Sequence, residues 1–433
     1  MQLYSTKNRN NMVSLKEAIM KSLPVDRGLY MPDHIPTLSR DFITHIDQYT
    51  FEEIAFSVIS SVIGDEIDLP ILRSVVEETV NFPAPVVSLD NDTHVLELFH
   101  GPSLAFKDFG ARFMAQMMSH YNRGEDQELT ILVATSGDTG GAVAAGFYKV
   151  PGVRVIILYP SGKVSALQEK QLTTLGENIT ALEIDGTFDD CQAIVKSAFL
   201  DDQLNSKFRL SSANSINIAR LLPQSLYYFE AYKQLKNKTR HLVFSIPSGN
   251  FGNLTAGLLA KRMGLPVGKF IAATNANNIV PKYLNTGEYN PKPSVQTISN
   301  AMDVGNPSNF QRMEDLYGST WNSMKKDVVG YSYSDGQTKE AIKVIHDKYG
   351  YIMDPHGAVG YLALEAYQAE VKNTNGIILE TAHPAKFLPV MEPILGDIDV
   401  PERLASLHDK EKVAISLSST FEEFKVWMLS GLV

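Results

Sequence analysis

Three stretches in the first half of this 433-residue chain are nearly unbroken apolar runs, and each gives way to a turn and a helical pattern. Leu129-Thr130-Ile131-Leu132-Val133-Ala134 leads through Thr135-Ser136-Gly137-Asp138-Thr139-Gly140-Gly141 into a small-residue helix ending near Phe147. Val153-Arg154-Val155-Ile156-Ile157-Leu158-Tyr159 precedes a helix from Val164 to Leu175, which Gly176 is placed to close. Ile179 to Ile184 precedes a helix around Cys191 to Phe199. Strands without polar alternation are buried on both faces, and helices between successive strands cover them. The pattern therefore predicts a parallel sheet sandwiched by helices.

A second series repeats the theme. Phe208 to Ser211 is followed by a long helix that Pro223 should kink, and His241 to Ile246 runs through Pro247-Ser248-Gly249-Asn250-Phe251-Gly252-Asn253 into a helix to Met263. Lys269 to Thr274 is a strand, 275 to 305 a polar loop or lid, and Ile377 to Glu380 a strand ending at Thr381. Helices are expected near Lys339 to Tyr349 and Pro355 to Tyr367. Before all this, helical patterns at Val13 to Leu23 and Phe51 to Ile63 precede a strand from His94 to Leu98. The fold class is α/β, with two open, mostly parallel lobes and a cleft between them. The divisions expected are a helical N-terminal region at 1–92, a smaller lobe at 93–205 and a larger lobe at 206–433.

Charge and composition narrow the function. Against 49 Asp+Glu stand 39 Lys+Arg, for a net charge of −10, and no basic run marks a nucleic-acid surface. Neither a signal core nor a membrane-length apolar segment appears, so a cytoplasmic protein is expected. The single cysteine, Cys191, rules out an internal disulfide and a thiolate metal cluster. His356 and His383 flank prolines without a third ligand at metal spacing, so they are expected to be structural or to support the residues that touch a ligand, and no metal is expected.

Chemistry centres on His100-Gly101-Pro102-Ser103-Leu104-Ala105-Phe106-Lys107-Asp108-Phe109. Phe109, Phe113, Met114 and Met117 recur at helical spacing, so Lys107 falls in a first helical turn, where the helix dipole and burial beside Phe106 and Phe109 disfavour its charge. An easily neutralised lysine is suited to Schiff-base chemistry, although most lysines are solvated surface residues. Two glycine-rich turns, Ser136 to Gly141 and Ser248 to Asn253, lie between strand and helix, where N–H groups gather around anions. One such turn is as often bare as occupied; two at strand ends favour ligands. Asn214, Ser215 and Arg220 present amide, hydroxyl and guanidinium near another helix start, with Lys163 in a strand-to-helix loop, and could converge on a phosphate or carboxylate; taken alone, they read better as a helix cap followed by a surface arginine. Dinucleotide, nucleoside-triphosphate, zinc-protease and nucleophile-elbow motifs are absent.

Together, Leu3-Tyr4-Ser5-Thr6, Gly28 to Pro32, the Lys107 stretch, Ala134 to Gly140, Asn214 to Asn217 with Arg220, Ser248 to Asn253 and Asp354-Pro355-His356 resemble the threonine synthases, pyridoxal-phosphate (PLP) enzymes of fold type II. The resemblance spans nearly the whole chain. It implies that Lys107 holds PLP covalently and later moves protons, and that Gly249, Asn250, Phe251, Gly252 and Asn253 bind the cofactor phosphate. Thr381 would face the pyridine nitrogen, Asp138 the phenolic oxygen, and Ser136 and Thr139 the substrate carboxylate. Lys163, Asn214, Ser215 and Arg220 would form a separate site for the phosphate of O-phospho-L-homoserine, which water and PLP convert to L-threonine. A monomer or homodimer acting on this small molecule, with neither nucleic acid nor membrane as partner, is implied. The alternatives are a phospho-lyase acting on O-phosphothreonine and a non-catalytic PLP-binding homologue. Because a carboxylate facing a phenolate is repelled, Asp138 is expected either to hold a proton or to sit displaced from the ring.

Overall fold

A computed structural model of the chain describes residues 1–431 apart from Ser136, Lys236, Asn237 and Thr239. Its strands in chain order are β1 (Gln2–Ser5), β2 (Asn8–Ser14), β3 (Tyr30–Pro32), β4 (Val86–Ser88), β5 (Thr93–Glu97), β6 (Leu129–Ala134) and β7 (Val153–Pro160). They continue with β8 (Ile179–Asp185), β9 (Arg209–Ser212), β10 (His241–Pro247), β11 (Lys269–Thr274), β12 (Val328–Ser332), β13 (Thr374–Glu380) and β14 (Ile415–Ser418). One sheet has the order β14-β8-β7-β6-β9 and is parallel throughout. A second, β12-β11-β10-β13-β5-β4, is parallel except for its edge pair β4 and β5.

The apolar runs lie where their composition requires. Along β6 and β7, Ile131, Val133, Val155 and Ile157 face one core, while Leu132, Ala134, Ile156 and Leu158 face another on the opposite side of the sheet. β10 and β13 occupy the middle of the second sheet, and β13 is buried along its whole length. Pro223 does break its helix, falling in a 3-10 turn, Leu222–Ser225, between the helices Ile218–Leu221 and Leu226–Gln234. The helix expected over Val164 to Leu175 is shorter, Ala166–Thr173, because Ser165 caps it through a reciprocal pair with Gln168.

Three expectations need correction. The N-terminal region is not purely helical: an antiparallel sheet, β2-β1-β3, precedes its helices. Asn-Arg-Asn-Asn in β2 carries no apolar alternation, and β1 gains its second partner from the distant residues Tyr30–Pro32, so no local pattern marks them. The divisions at 92/93 and 205/206 do not follow the sheets either. β5 stands in the six-stranded sheet, whereas β9 and β14 form the two edges of the five-stranded one. Parallel neighbours need long crossovers, so adjacent strands come from distant parts of the chain. Finally, residues 275–305 are not a bare loop. A helix, Ile279–Thr286, forms there, and the Asp303 carboxylate accepts hydrogen bonds from Asn275, Asn277 and Thr297 at 2.7–3.1 Å.

The helix Lys107–Asn122 joins these parts. Phe109, fully buried, meets Phe82 at 4.7 Å, Tyr227 at 5.5 Å and Phe51 at 6.1 Å between ring centroids, linking the N-terminal helices to the lobe behind the cleft. Among the described residues, no helix is long and apolar enough to cross a membrane. Phe109→Ala is expected to remove about 3–5 kcal/mol of packing. Thermal unfolding followed by circular dichroism should show the midpoint falling by several degrees. Val426→Ala, at a 67 % exposed position, should leave it in place.

Candidate active site

Lys107 owes its position to a backbone splice. After β5 the chain crosses the end of β13, where Ala105 and Ala382 form an antiparallel bridge. Phe106 N–H donates to the Thr381 carbonyl at 2.9 Å, and His383 N–H donates to the Leu104 carbonyl at 3.0 Å. Leu104 adopts a left-handed φ of 56° at this crossing. Lys107 is then the first residue of its helix, which has no side-chain cap, and its Nζ lies 5.9 Å from the Phe106 ring centre. Burial lowers the amine to about 8; the Lys386 and Arg220 charges push the same way and Asp138 opposes them. The ammonium is thus easily neutralised, as its first-turn position suggests. Its neighbour Asp108 is also deeply buried and pushed up to about 6 by that burial, with one carboxylate oxygen accepting from Ser103 N–H at 2.9 Å.

The second glycine turn follows β10. Phe251 is left-handed (φ 60°) and immediately precedes the helix Gly252–Arg262. The N–H groups of Gly249, Asn250, Phe251, Gly252 and Asn253 find no acceptor among the described residues. Five free donors at a helix start make an anion cradle. Side chains fix its shape: Asn253 donates to the Pro247 carbonyl at 2.8 Å, and Asn250 bonds Ser215 at 2.6 Å and Ser308 at 2.8 Å. Gly249 is obligatory, since a methyl group there would stand 2.5 Å from the Ala301 carbonyl.

Arg220 packs on the lysine helix at Gly110, where a methyl group would lie 2.9 Å from its Nε. The guanidinium is 2 % exposed and lowered to about 10 by burial. One of its nitrogens donates to the Ala213 carbonyl at 2.6 Å, while Nε has no partner among the described residues. The Asn214 side-chain oxygen is likewise buried and unpartnered. The Asp108 carboxyl is the charge that bears on this guanidinium, but it accepts none of its hydrogen bonds among the described residues, and a buried cation with an unused N–H fits a phosphate or carboxylate ligand. Through the Asn250–Ser215 bond this group touches the cradle, so the two expected anion sites share a wall instead of standing apart. Lys163 does not join them; it is exposed, and its charge bears on Asp190 and Cys191. Ser136 lies outside the described residues. Thr139 is half-buried on the first turn of the helix Asp138–Phe147, beside Asp138.

The surroundings of Asp138 favour its ionised form. Lys386, fully buried, places Nζ 2.6 Å from Asp138 Oδ1, and Gln168 Nε2 donates to the same oxygen at 2.9 Å. Although burial favours the neutral form, the Lys386 and Lys107 charges outweigh it and hold the carboxyl well below its ordinary range. Sequence reasoning missed Lys386, which lies on a short 3-10 turn, Pro384–Phe387, with no periodic pattern around it.

Thr381 is buried, and its hydroxyl has no hydrogen-bond partner among the described residues. Around it, Asp354 accepts from Ala382 N–H at 3.2 Å and from His356 Nδ1 at 2.8 Å, and Asp354 N–H donates to Glu380 at 2.6 Å. Burial, reinforced by Asp354, raises the Glu380 carboxyl well above its usual range. His356 Nε2 accepts from Ala301 N–H at 3.2 Å, which fixes the ring tautomer and closes the 299–303 segment over Gly249. The two histidines thus take structural roles, His383 accepting from Ala385 N–H at 3.1 Å. Among the described residues, no group of three or more His, Cys, Asp or Glu side chains could hold a metal. A ligand with a phosphate, an aldehyde and an aromatic nitrogen suits the cradle, the neutralisable amine and the free hydroxyl.

Comparison with known proteins agrees. A family described as pyridoxal-phosphate dependent enzyme matches residues 81–379, threonine synthase N terminus matches 2–80, and threonine synthase, C-terminal matches 357–426. Threonine synthase of Escherichia coli (strain K12) is 47 % identical over 99 % of this chain and 100 % of its own. The crystal structure of Escherichia coli threonine synthase superposes with a TM-score of 0.93 at 46 % identity, covering 99 % of this chain and 100 % of that one. PLP-bound threonine synthase from Brucella melitensis gives 0.92 at 33 % identity over 99 % and 98 %. The chain therefore belongs to the threonine synthases, PLP-dependent enzymes of fold type II.

Proposed function

We propose that the Lys107 cleft converts O-phospho-L-homoserine and water to L-threonine and phosphate, with Lys107 as both the cofactor-holding and the proton-moving residue. The observation that carries this is the placement of one neutralisable amine between an acceptor-free N–H cradle and the unpaired Arg220 guanidinium. Residues 249–253 hold the cofactor phosphate, Lys107 its aldehyde and Thr381 its ring nitrogen. Bound there, PLP would supply an electron sink that acidifies the α and β hydrogens of the substrate.

This chain's own residues then do the following. Lys107 Nζ, neutral in appreciable fraction near pH 8, takes the α proton and then a β proton as phosphate leaves the γ carbon, and returns these two protons at the γ and α carbons, while water gives its hydroxyl to the β carbon and its other proton to the released phosphate. Arg220, Asn214 and Ser215 hold the substrate phosphate, keeping its leaving bond aligned; Thr139, on the first turn of the helix Asp138–Phe147, and Ser136, its near neighbour in sequence, are assigned to the substrate carboxylate. Lys163, in an exposed loop, belongs to this set only if that loop moves on binding. The small-molecule substrate, the acidic surface and the lack of a basic run support a cytoplasmic enzyme of intermediary metabolism without a nucleic-acid partner, as monomer or homodimer.

Incubating PLP-reconstituted protein with O-phospho-L-homoserine should release phosphate and L-threonine in equal amounts. Phosphate accompanied by 2-oxobutyrate would instead identify a phospho-lyase. Lys107→Ala should abolish both turnover and the visible band of the bound cofactor. Arg220→Met should keep the band but lower kcat/KM on the order of ten- to a hundredfold, the loss of one charge-assisted bond.

A further inference from the structure

Two buried charges from opposite sides of the cleft, Asp138 and Lys386, meet beside Lys107, and the steps set out above use neither. Asp138 begins the helix Asp138–Phe147 and is carried by the end of β6, in the five-stranded sheet. Lys386 follows β13, in the six-stranded sheet. Their side chains are 5 % and 0 % exposed and meet at 2.6 Å. Each is held by a second partner. Lys386 Nζ donates to the Ser103 carbonyl at 2.9 Å, and Gln168 donates to Asp138 at 2.9 Å. Gln171, one turn further along the helix Ala166–Thr173, donates to the same Ser103 carbonyl at 3.0 Å. The pair is thus tied at both ends to the loop that carries Lys107.

We propose that Lys386 is a positioning residue of the reaction, forming with Asp138 a fixed charge pair that sets how readily the Lys107 amine takes and releases a proton. Burying an ion pair seldom adds stability over apolar packing, because desolvation offsets the attraction. What this pair does have is a neighbour whose charge state matters. The charges that bear on Lys107 are those of Asp138, Lys386 and Arg220, and Asp138 is the only anion among them. Lys386 in turn faces Asp108 and His383, and its charge favours the ionised form of the first and the neutral form of the second. Without Lys386, an uncompensated Asp138 would hold Lys107 charged. Without Asp138, three cations would crowd one buried space and Lys107 would lose its proton early. The pair keeps the amine between these limits.

The relevance of this pair to catalysis rests on Lys107 as the reacting amine, but its test does not need the cofactor. Cofactor-free protein is trace-labelled with acetic anhydride across a pH series, and acetylation of the Lys107 peptide is read by mass spectrometry. The wild-type midpoint should fall at about 8. Lys386→Met should raise it and Asp138→Asn should lower it, each by roughly one pH unit, and the double variant should return it close to wild type. A purely structural pair would not give opposite signs that cancel. Midpoints that move together, do not move, or fail to return in the double variant would overturn the proposal. Circular dichroism checks each fold; should Lys386→Met not fold, a downward shift in Asp138→Asn reversed by the double variant still decides the matter. If Lys107→Ala kept the cofactor's visible band, the site assignment would fail while these labelling results stood on their own.

Discussion

Two main-chain hydrogen bonds between the lysine loop and the end of β13 hold the rest of the site in place. They convert a loop that would otherwise lie over a sheet edge into an extra strand-like segment, and they fix Lys107 and Thr381 as neighbours although 273 residues separate them. Everything with a charge is then arranged around that splice. The lysine helix points its uncapped end at the cleft, Arg220 lies against Gly110 on its flank, and Lys386 reaches back to Ser103 in the loop itself. A local distortion at Leu104, with its left-handed backbone, is tolerated because the pairing on either side over-determines it.

Electrostatically the cleft is built to be positive but not strongly so. Desolvation weakens the Lys107 and Arg220 cations, while Asp138 and its amide partner Gln168 offset part of the repulsion. Such a site attracts a doubly charged phosphate without a full complement of carboxylates to repel it. The acceptor-free N–H groups at residues 249–253 supply a further share of that attraction from the backbone alone, with no side chain to titrate.

Much of this was legible in the residues. The apolar runs at β6, β7, β10 and β13 announce strands covered on both faces, and the glycine turns after β6 and β10 announce where ligands gather. Phe109 and its helical repeats place Lys107 at a first turn. What escaped were contacts between segments with no periodic signature. β2 is polar and takes its shape from pairing with β1; Ile279–Thr286 is a single amphipathic stretch inside a run of Asn and Pro. Lys386 illustrates the limit for sites. Nothing in Pro384-Ala385-Lys386-Phe387 distinguishes a surface lysine from a buried one, because its burial is decided by Asp138 and Ser103, which come from the other side of the cleft. For the same reason Asp138 could be read as a protonated acid until its partner was seen.

The position of β14 matters for how the molecule is made. The five-stranded sheet has β8 at what would be its outer edge until Ile415–Ser418 pairs with it, and the helix Phe421–Leu429 then closes over the same flank against Phe188–Leu200. On a ribosome, the first lobe therefore waits for the last part of the chain, with the backbone N–H and C=O groups of Ile179–Asp185 unpaired along one side throughout synthesis. Residues from Lys107 to Lys386 build the site, so a chain that has already supplied all of them still carries the open edge of β8 until Ile415–Ser418 pairs with it, and that interval exposes a strand edge to aggregation.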